Sequence, residues 1–220
     1  MEQVQTLDHS LAQTLATNRL IRNTYILLAL TLAFSAVMAG VSMSLQLKFN
    51  LVIFLVGAIG LQILTNVFRN SAIGIVCVFA FTGFMGMTLG PVLSHFLKTP
   101  HGTQLVMQAL GATALIFFTL SAYALISRKD FSFMRGFLFV GLMVAFFAGL
   151  AAYIFGMSTL SLAVSAAFVL LSSGLILYQT SEMVNGGETN YIMATVTLYV
   201  SLYNLFVSLL RLLAAFAGED

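Results

Sequence analysis

Charge is confined to narrow zones of this chain, and the stretches between them are apolar and long. Charge-free runs cover Thr24 to Leu45, Phe49 to Phe68, Ser71 to Ser94, Gly102 to Ser127, Gly136 to Ser181 and Thr189 to Leu210. A helix needs about 20 apolar residues to cross the hydrocarbon of a bilayer. The fifth run is more than twice that length, so it holds two spans, with a break near Gly156-Met157-Ser158-Thr159. Seven transmembrane helices are therefore expected. The runs are continuous rather than ten-residue alternations, which points to an all-α membrane protein and away from a barrel.

Composition supports this. Sixty per cent of the 220 residues are hydrophobic and 7% are charged, where a soluble domain has about 25% charged residues. All nine Lys and Arg lie between the runs or outside them, and Glu182 is the one acid at a margin. Residues 1–23 form a polar tail, with Glu2, Asp8, His9, Arg19 and Arg22 among Gln, Thr and Ser, and a short surface helix is expected near Leu11 to Leu20. A cleaved signal peptide fits poorly, because the apolar run that follows is too long and has many successors. Residues 24–213 make up the membrane domain and residues 214–220 a short C-terminal tail. With a net charge of +2 and no basic run longer than Arg128-Lys129, no nucleic-acid partner is expected. Cys77 stands alone, so neither a disulfide nor a thiolate metal site is expected.

The loops set the orientation. Arg19, Arg22, Arg69, Arg128, Lys129 and Arg135 fall on one side of the membrane, and Lys48, Lys98 and Arg211 on the other. The basic excess belongs in the cytoplasm, and with it the N-terminus. An odd number of spans puts the C-terminus outside, whereas a re-entrant seventh segment would return it inside.

The last hairpin is unusual for membrane helices. Thr197, Ser201, Asn204 and Ser208 fall at i, i+4, i+7 and i+11, on one helix face, and Ser161, Ser165, Ser172, Gln179 and Glu182 line the helix before. Polar groups facing lipid cost roughly a few kcal/mol each. The two polar faces should look at each other or at the interior, with the other helices as a jacket.

Reactive chemistry is scarce. No span carries a lysine for a retinal Schiff base, no G-x-S-x-G occurs, and Asp8, Asp130 and Asp220 are the only aspartates, so no catalytic residue or cofactor site is expected. His95 and His101, with no third ligand in reach by sequence, make a weak metal pair and read as interfacial histidines. Gly86 and Gly90 form a small-xxx-small pair suited to close helix packing, and Pro91 beside them suits a kink. Glu182, one turn beyond Gln179, reads as a solvated helix-end carboxylate or as a proton-sensing gate group. Asn185-Gly186-Gly187 suits a tight turn, and Glu188 and Thr189 a helix start. Tyr199 and Tyr203, at i and i+4, read as core residues whose hydroxyls find neighbours.

Leu198-Tyr199-Val200-Ser201-Leu202-Tyr203-Asn204-Leu205-Phe206 resembles the seventh-helix signature of the Bax inhibitor-1 family, and Ile176-Leu177-Tyr178-Gln179 its sixth-helix signature. Phe81-Thr82-Gly83-Phe84-Met85-Gly86 and Arg128-Lys129-Asp130-Phe131-Ser132-Phe133 are similar to its third helix and fourth connection. The resemblance spans residues 20 to 213. It implies a seventh helix that is central and wrapped by the other six, in a bacterial inner membrane, where the odd span count makes the C-terminus periplasmic. It also implies one of two activities. Some bacterial members are pH-sensitive calcium leak channels gated by paired aspartates on helices six and seven. Others associate with the membrane AAA protease FtsH, restrain its degradation of membrane proteins, and can be its substrates. At the aspartate positions this chain has Gln179 and Ser201, which do not titrate near neutral pH. Glu182 supplies one acid rather than a pair, with Arg69 as a candidate counter-charge. The expected role is a non-enzymatic modulator of an FtsH-type protease. A calcium or cation leak pathway is the alternative, and an assembly scaffold differs from the first reading only in its partner.

Overall fold

A computed structural model describes residues 2–218, with side chains from Thr14 onward. Among the described residues there are seven α-helices and no strand: α1 Glu2–Ser44, α2 Leu51–Val67, α3 Ala72–Phe96, α4 Gly102–Ser127, α5 Met134–Phe155, α6 Ser158–Asn185 and α7 Tyr191–Ala217. Six are long and apolar enough to cross a membrane, and α2, at 17 residues, is shorter.

Local chemistry explains where the helices start and stop. Asn50 accepts hydrogen bonds from the Val52 and Ile53 amides, so α2 begins two residues inside the apolar run that starts at Phe49. Gly156 ends α5 in the left-handed region at φ +63°, which glycine adopts without a Cβ penalty, and α6 starts two residues later. The polar segment before Thr24 is not a separate element: α1 is one helix of 43 residues, about 65 Å long at 1.5 Å per residue. Its N-terminal part therefore extends past the roughly 30 Å of hydrocarbon that the apolar part spans.

The outward faces are apolar. Val56 on α2, Phe147 on α5 and Leu170 on α6 are 69%, 62% and 75% exposed. Burial gathers instead on α7, whose thirteen buried residues exceed the ten of α3. Helix α7 packs against α1, α2, α3, α4 and α6. Helix α5 differs from the expectation of six wrapping helices. Among the helices it packs on α6 alone, as the outer arm of a hairpin whose turn is only Gly156 and Met157.

In lipid the hydrophobic effect does not draw helices together, so close approach and hydrogen bonding must. The seam between α1 and α3 uses both. Thr24, Leu28, Thr31, Ser35, Ala39 and Ser42 form the buried stripe of α1. A Cβ on Gly86 would run into the Ser35 carbonyl, and one on Gly90 into Ser42 and the Ala39 carbonyl. That closeness lets the Ser42 hydroxyl donate to the Met87 carbonyl at 2.7 Å. Met87 lies four residues before Pro91, which stands inside α3 and has no N–H to offer that carbonyl. Ser42 supplies the bond that proline removes.

Two outcomes are expected from thermal unfolding in detergent. Gly86→Val should destabilise by about 2 kcal/mol, the cost of overpacking a closed seam. Ser42→Ala should cost about 1–3 kcal/mol by leaving a carbonyl unpaired, and most of that loss should vanish in a Pro91→Ala background, where the alanine N–H restores the donor.

Candidate functional site: the polar seam of the last two helices

The seam begins at a fixed point. Asn190 caps α7, its Oδ1 accepting from Ile192 and Met193, while its Nδ2 donates to the Arg69 carbonyl at 3.0 Å and to Asn70 Oδ1 at 2.8 Å. The Glu188 carboxylate takes the amides of Thr189 and Asn190. Free amides at a helix start need acceptors, and of the two side chains that provide them Asn190 also ties the α6–α7 loop to the α2–α3 loop.

Along α7, Ser201 and Ser208 are buried, and Thr197 and Asn204 are half-buried. Ser201 donates to the Thr197 carbonyl of its own helix at 2.8 Å. The long-range ties run through neighbouring positions. Tyr199, 1% exposed, donates to the Thr82 carbonyl on α3 at 3.2 Å and lies 2.6 Å from the Ser35 hydroxyl on α1. A phenol has one proton, so Ser35 donates the second bond. Tyr203 meets Thr88 at 3.2 Å, and Thr195 reaches the Thr24 carbonyl at 3.3 Å. These side chains join α7 to α1 and α3.

The α6 face is less well satisfied. Ser165 donates to the Ser161 carbonyl, whereas Ser172 Oγ, Gln179 Nε2 and Thr180 Oγ1 are buried without a hydrogen-bond partner. Three more orphans lie on the adjoining helices: Thr24 Oγ1 and Tyr25 OH on α1, and Ser121 Oγ on α4. The Tyr25 ring packs on Phe117, one turn before Ser121, at 5.9 Å. Buried polar groups of this kind are normally satisfied by internal water. Hydroxyls and one amide make up the set, and no carboxylate belongs to it.

The C-terminal end of α6 holds a feature that the helical stripe does not reveal. Ser181, fully buried, donates to the Lys129 carbonyl at 2.8 Å and accepts from the Phe131 amide at 3.1 Å. Asn185 donates to Ser181 and to the same carbonyl. Together they fasten the α4–α5 loop. Within that loop the Ser132 amide bonds the Asp130 carboxylate at 2.8 Å, holding its carboxyl below the usual range. Glu182 is half-buried with its carboxylate over Gly187. Arg69 instead donates to Asn66 at 3.3 Å, so the two charges are not brought together as an ion pair. His95 packs edge-on to Phe96, and among the described residues no three His, Cys, Asp or Glu side chains gather to hold a metal.

A buried, tyrosine-clamped last helix over this sequence pattern invites comparison with known proteins. The model of the family described as Inhibitor of apoptosis-promoting Bax1 matches residues 17–218. The chain belongs to the Bax inhibitor-1 family. Among its relatives, the Modulator of FtsH protease YccA of Escherichia coli is 49% identical, with all of both chains covered. An uncharacterized protein of Pseudomonas aeruginosa is 50% identical over all of this chain and 99% of its own. A membrane protein of Vibrio cholerae is 42% identical over 96% of each. At the seam Gln179 and Ser201 are both buried, and neither side chain ionises near neutral pH.

Tyr199→Phe should lower stability by about 1–3 kcal/mol, because it removes two buried hydrogen bonds and leaves the Ser35 hydroxyl unpaired. In unfolding measurements the Ser35→Ala/Tyr199→Phe double variant should lose less than the sum of the single losses.

Proposed function

We propose that this chain is a seven-pass inner-membrane protein that binds an FtsH-type AAA protease and modulates it in membrane-protein quality control. One observation carries the reading: the alignment with the Escherichia coli protein named Modulator of FtsH protease YccA runs end to end at 49% identity. The same identity holds to a second Escherichia coli sequence, named Inner membrane protein YccA, which supports the location. The length of α7, 27 residues or about 40 Å, supports a full crossing with the C-terminus periplasmic rather than a re-entrant segment. Its burial supports a central position.

The chemistry of the seam favours a modulator over a catalyst. Ser165 and Ser201 spend their protons on carbonyls of their own helices, with no base beside them. In this reading Gln179, Thr197, Ser201, Asn204 and Ser208 form a neutral interior, Glu182 is a helix-end carboxylate, and Gly86, Gly90 and Pro91 shape the packing of α3.

The orphaned hydroxyls on α1, α4 and α6 favour a second reading, a calcium or cation leak path that needs groups able to replace water. Calcium flux into liposomes between mildly acid and mildly basic pH separates the two. The modulator reading expects little flux and no effect of Glu182→Gln, whereas a strong pH-dependent leak abolished by that change would reverse the ranking.

Co-purification from detergent should enrich the host's FtsH-type protease over unrelated membrane proteins, and equal recovery of both would count against the proposal. Deleting residues 2–18, which precede the apolar part of α1, should lengthen the protein's lifetime if it is also a substrate.

A further inference from the structure

Helix α2 is the one least enclosed by its neighbours: Thr65 is its single buried residue, and it packs on α3 with a slight contact to α7. Between α2 and α7 runs a groove of about 260 Å³ lined by Ile59, Gln62, Ile63, Asn66 and Met193. Its polarity changes along its length. Ile59 and Ile63, 53% and 59% exposed, form its apolar part. Gln62 and Asn66 lie one turn apart on α2, and both are exposed.

Neither amide group is fully used. The Gln62 side chain makes no hydrogen bond to the described residues, and Asn66 accepts from Arg69, which leaves its own N–H donors unengaged. Donors left facing hydrocarbon are costly, so their placement on a lipid-facing groove needs a complementary acceptor. Arg69 lies one turn past Asn66 at the end of α2, its backbone held by Asn190. Met193 belongs to the first turn of α7, the positive end of that helix. No carboxylate lines the groove, and Glu188, the acid of the adjoining loop, is engaged by the Thr189 and Asn190 amides.

We propose that this groove binds an anionic phospholipid. A guanidinium, then two amides, then aliphatic side chains reproduce the order of a lipid from phosphate through ester to acyl chain. The phosphate sits between Arg69 and Asn66, Gln62 donates to an ester carbonyl, and the chain lies along Ile59, Ile63 and Met193. A protein helix in the same groove would have to bury an acidic or amide partner opposite Gln62 and place a second anion at Arg69. The bound lipid completes the packing of α2 on the side where the chain provides little of its own.

The test is lipid binding to the full-length protein in detergent, read by native mass spectrometry with phosphatidylglycerol and phosphatidylcholine of identical acyl chains. The unmodified protein should bind phosphatidylglycerol about fivefold more tightly, the increment of one basic side chain at an anionic headgroup. Arg69→Gln should abolish that preference, and Gln62→Leu should weaken both lipids alike. Arg22→Gln, a charge change at the same end of the bundle, should leave the preference intact. Gln62 is exposed, so its variant tests the site even if Arg69→Gln folds poorly. Equal binding of the two lipids, a preference that survives Arg69→Gln, or one lost equally in Arg22→Gln would overturn the proposal. So would inorganic phosphate competing as well as the lipid, or a second protein chain occupying the groove in place of lipid.

Discussion

A polar group inside a bilayer has no solvent to fall back on. Every hydroxyl, amide and freed carbonyl in the apolar part of this bundle must find its partner in the protein, in trapped water or in a lipid's polar atoms, or remain unpaired at a cost of roughly a few kcal/mol. That constraint accounts for the helices that lie inside the bundle and those that lie outside. Helix α7, with its hydroxyls and tyrosines, meets five other helices, while α5, whose exposed face is phenylalanine, valine and other apolar side chains, packs among the helices on α6 alone. Sorting by polarity gives the arrangement that hydrophobic burial gives a soluble protein.

The pairings follow one pattern. A close approach set by glycine or a small side chain brings a hydroxyl from one helix to the backbone or hydroxyl of another. Ser42 reaches the carbonyl that Pro91 frees, Tyr199 joins Ser35 and Thr82, and Ser181 gathers the loop from Lys129 to Phe131. The pattern weakens on α6 and two of its neighbours, where six polar atoms, three on α6, two on α1 and one on α4, lack partners. Helices α3 and α7 hold none of these atoms, so any hydrated interior of the bundle belongs against α6, between it and the orphaned groups of α1 and α4.

Much of this architecture is legible in the sequence because lipid makes charge so informative. The distribution of Lys and Arg marks the helices, and Gly156 marks the break between α5 and α6, since few other residues accept its backbone angle. The spacing of Thr197, Ser201, Asn204 and Ser208 identifies the face, with two of the four buried and two half-buried. Partners far apart in the chain are not legible. Nothing near Ser181 announces a loop fifty residues earlier, and nothing near Ser42 announces Pro91. Arg69 and Glu182 look like natural partners on charge alone, yet local geometry gives Arg69 to Asn66 and turns Glu182 over Gly187. The start of α1 is obscured for another reason: polar residues outside a membrane break the apolar pattern without breaking the helix.

The inward turn of the last two helices can be measured on the unmodified protein. A photoactivated carbene dissolved in the lipid of a reconstituted bilayer marks whatever side chains the acyl chains touch, and peptide mass spectrometry locates the marks. Val56, Phe147 and Leu170 should be labelled heavily, and Gln179, Tyr199 and Ser201 should stay unmarked. Labelling of those three at the level of Phe147 would contradict the account.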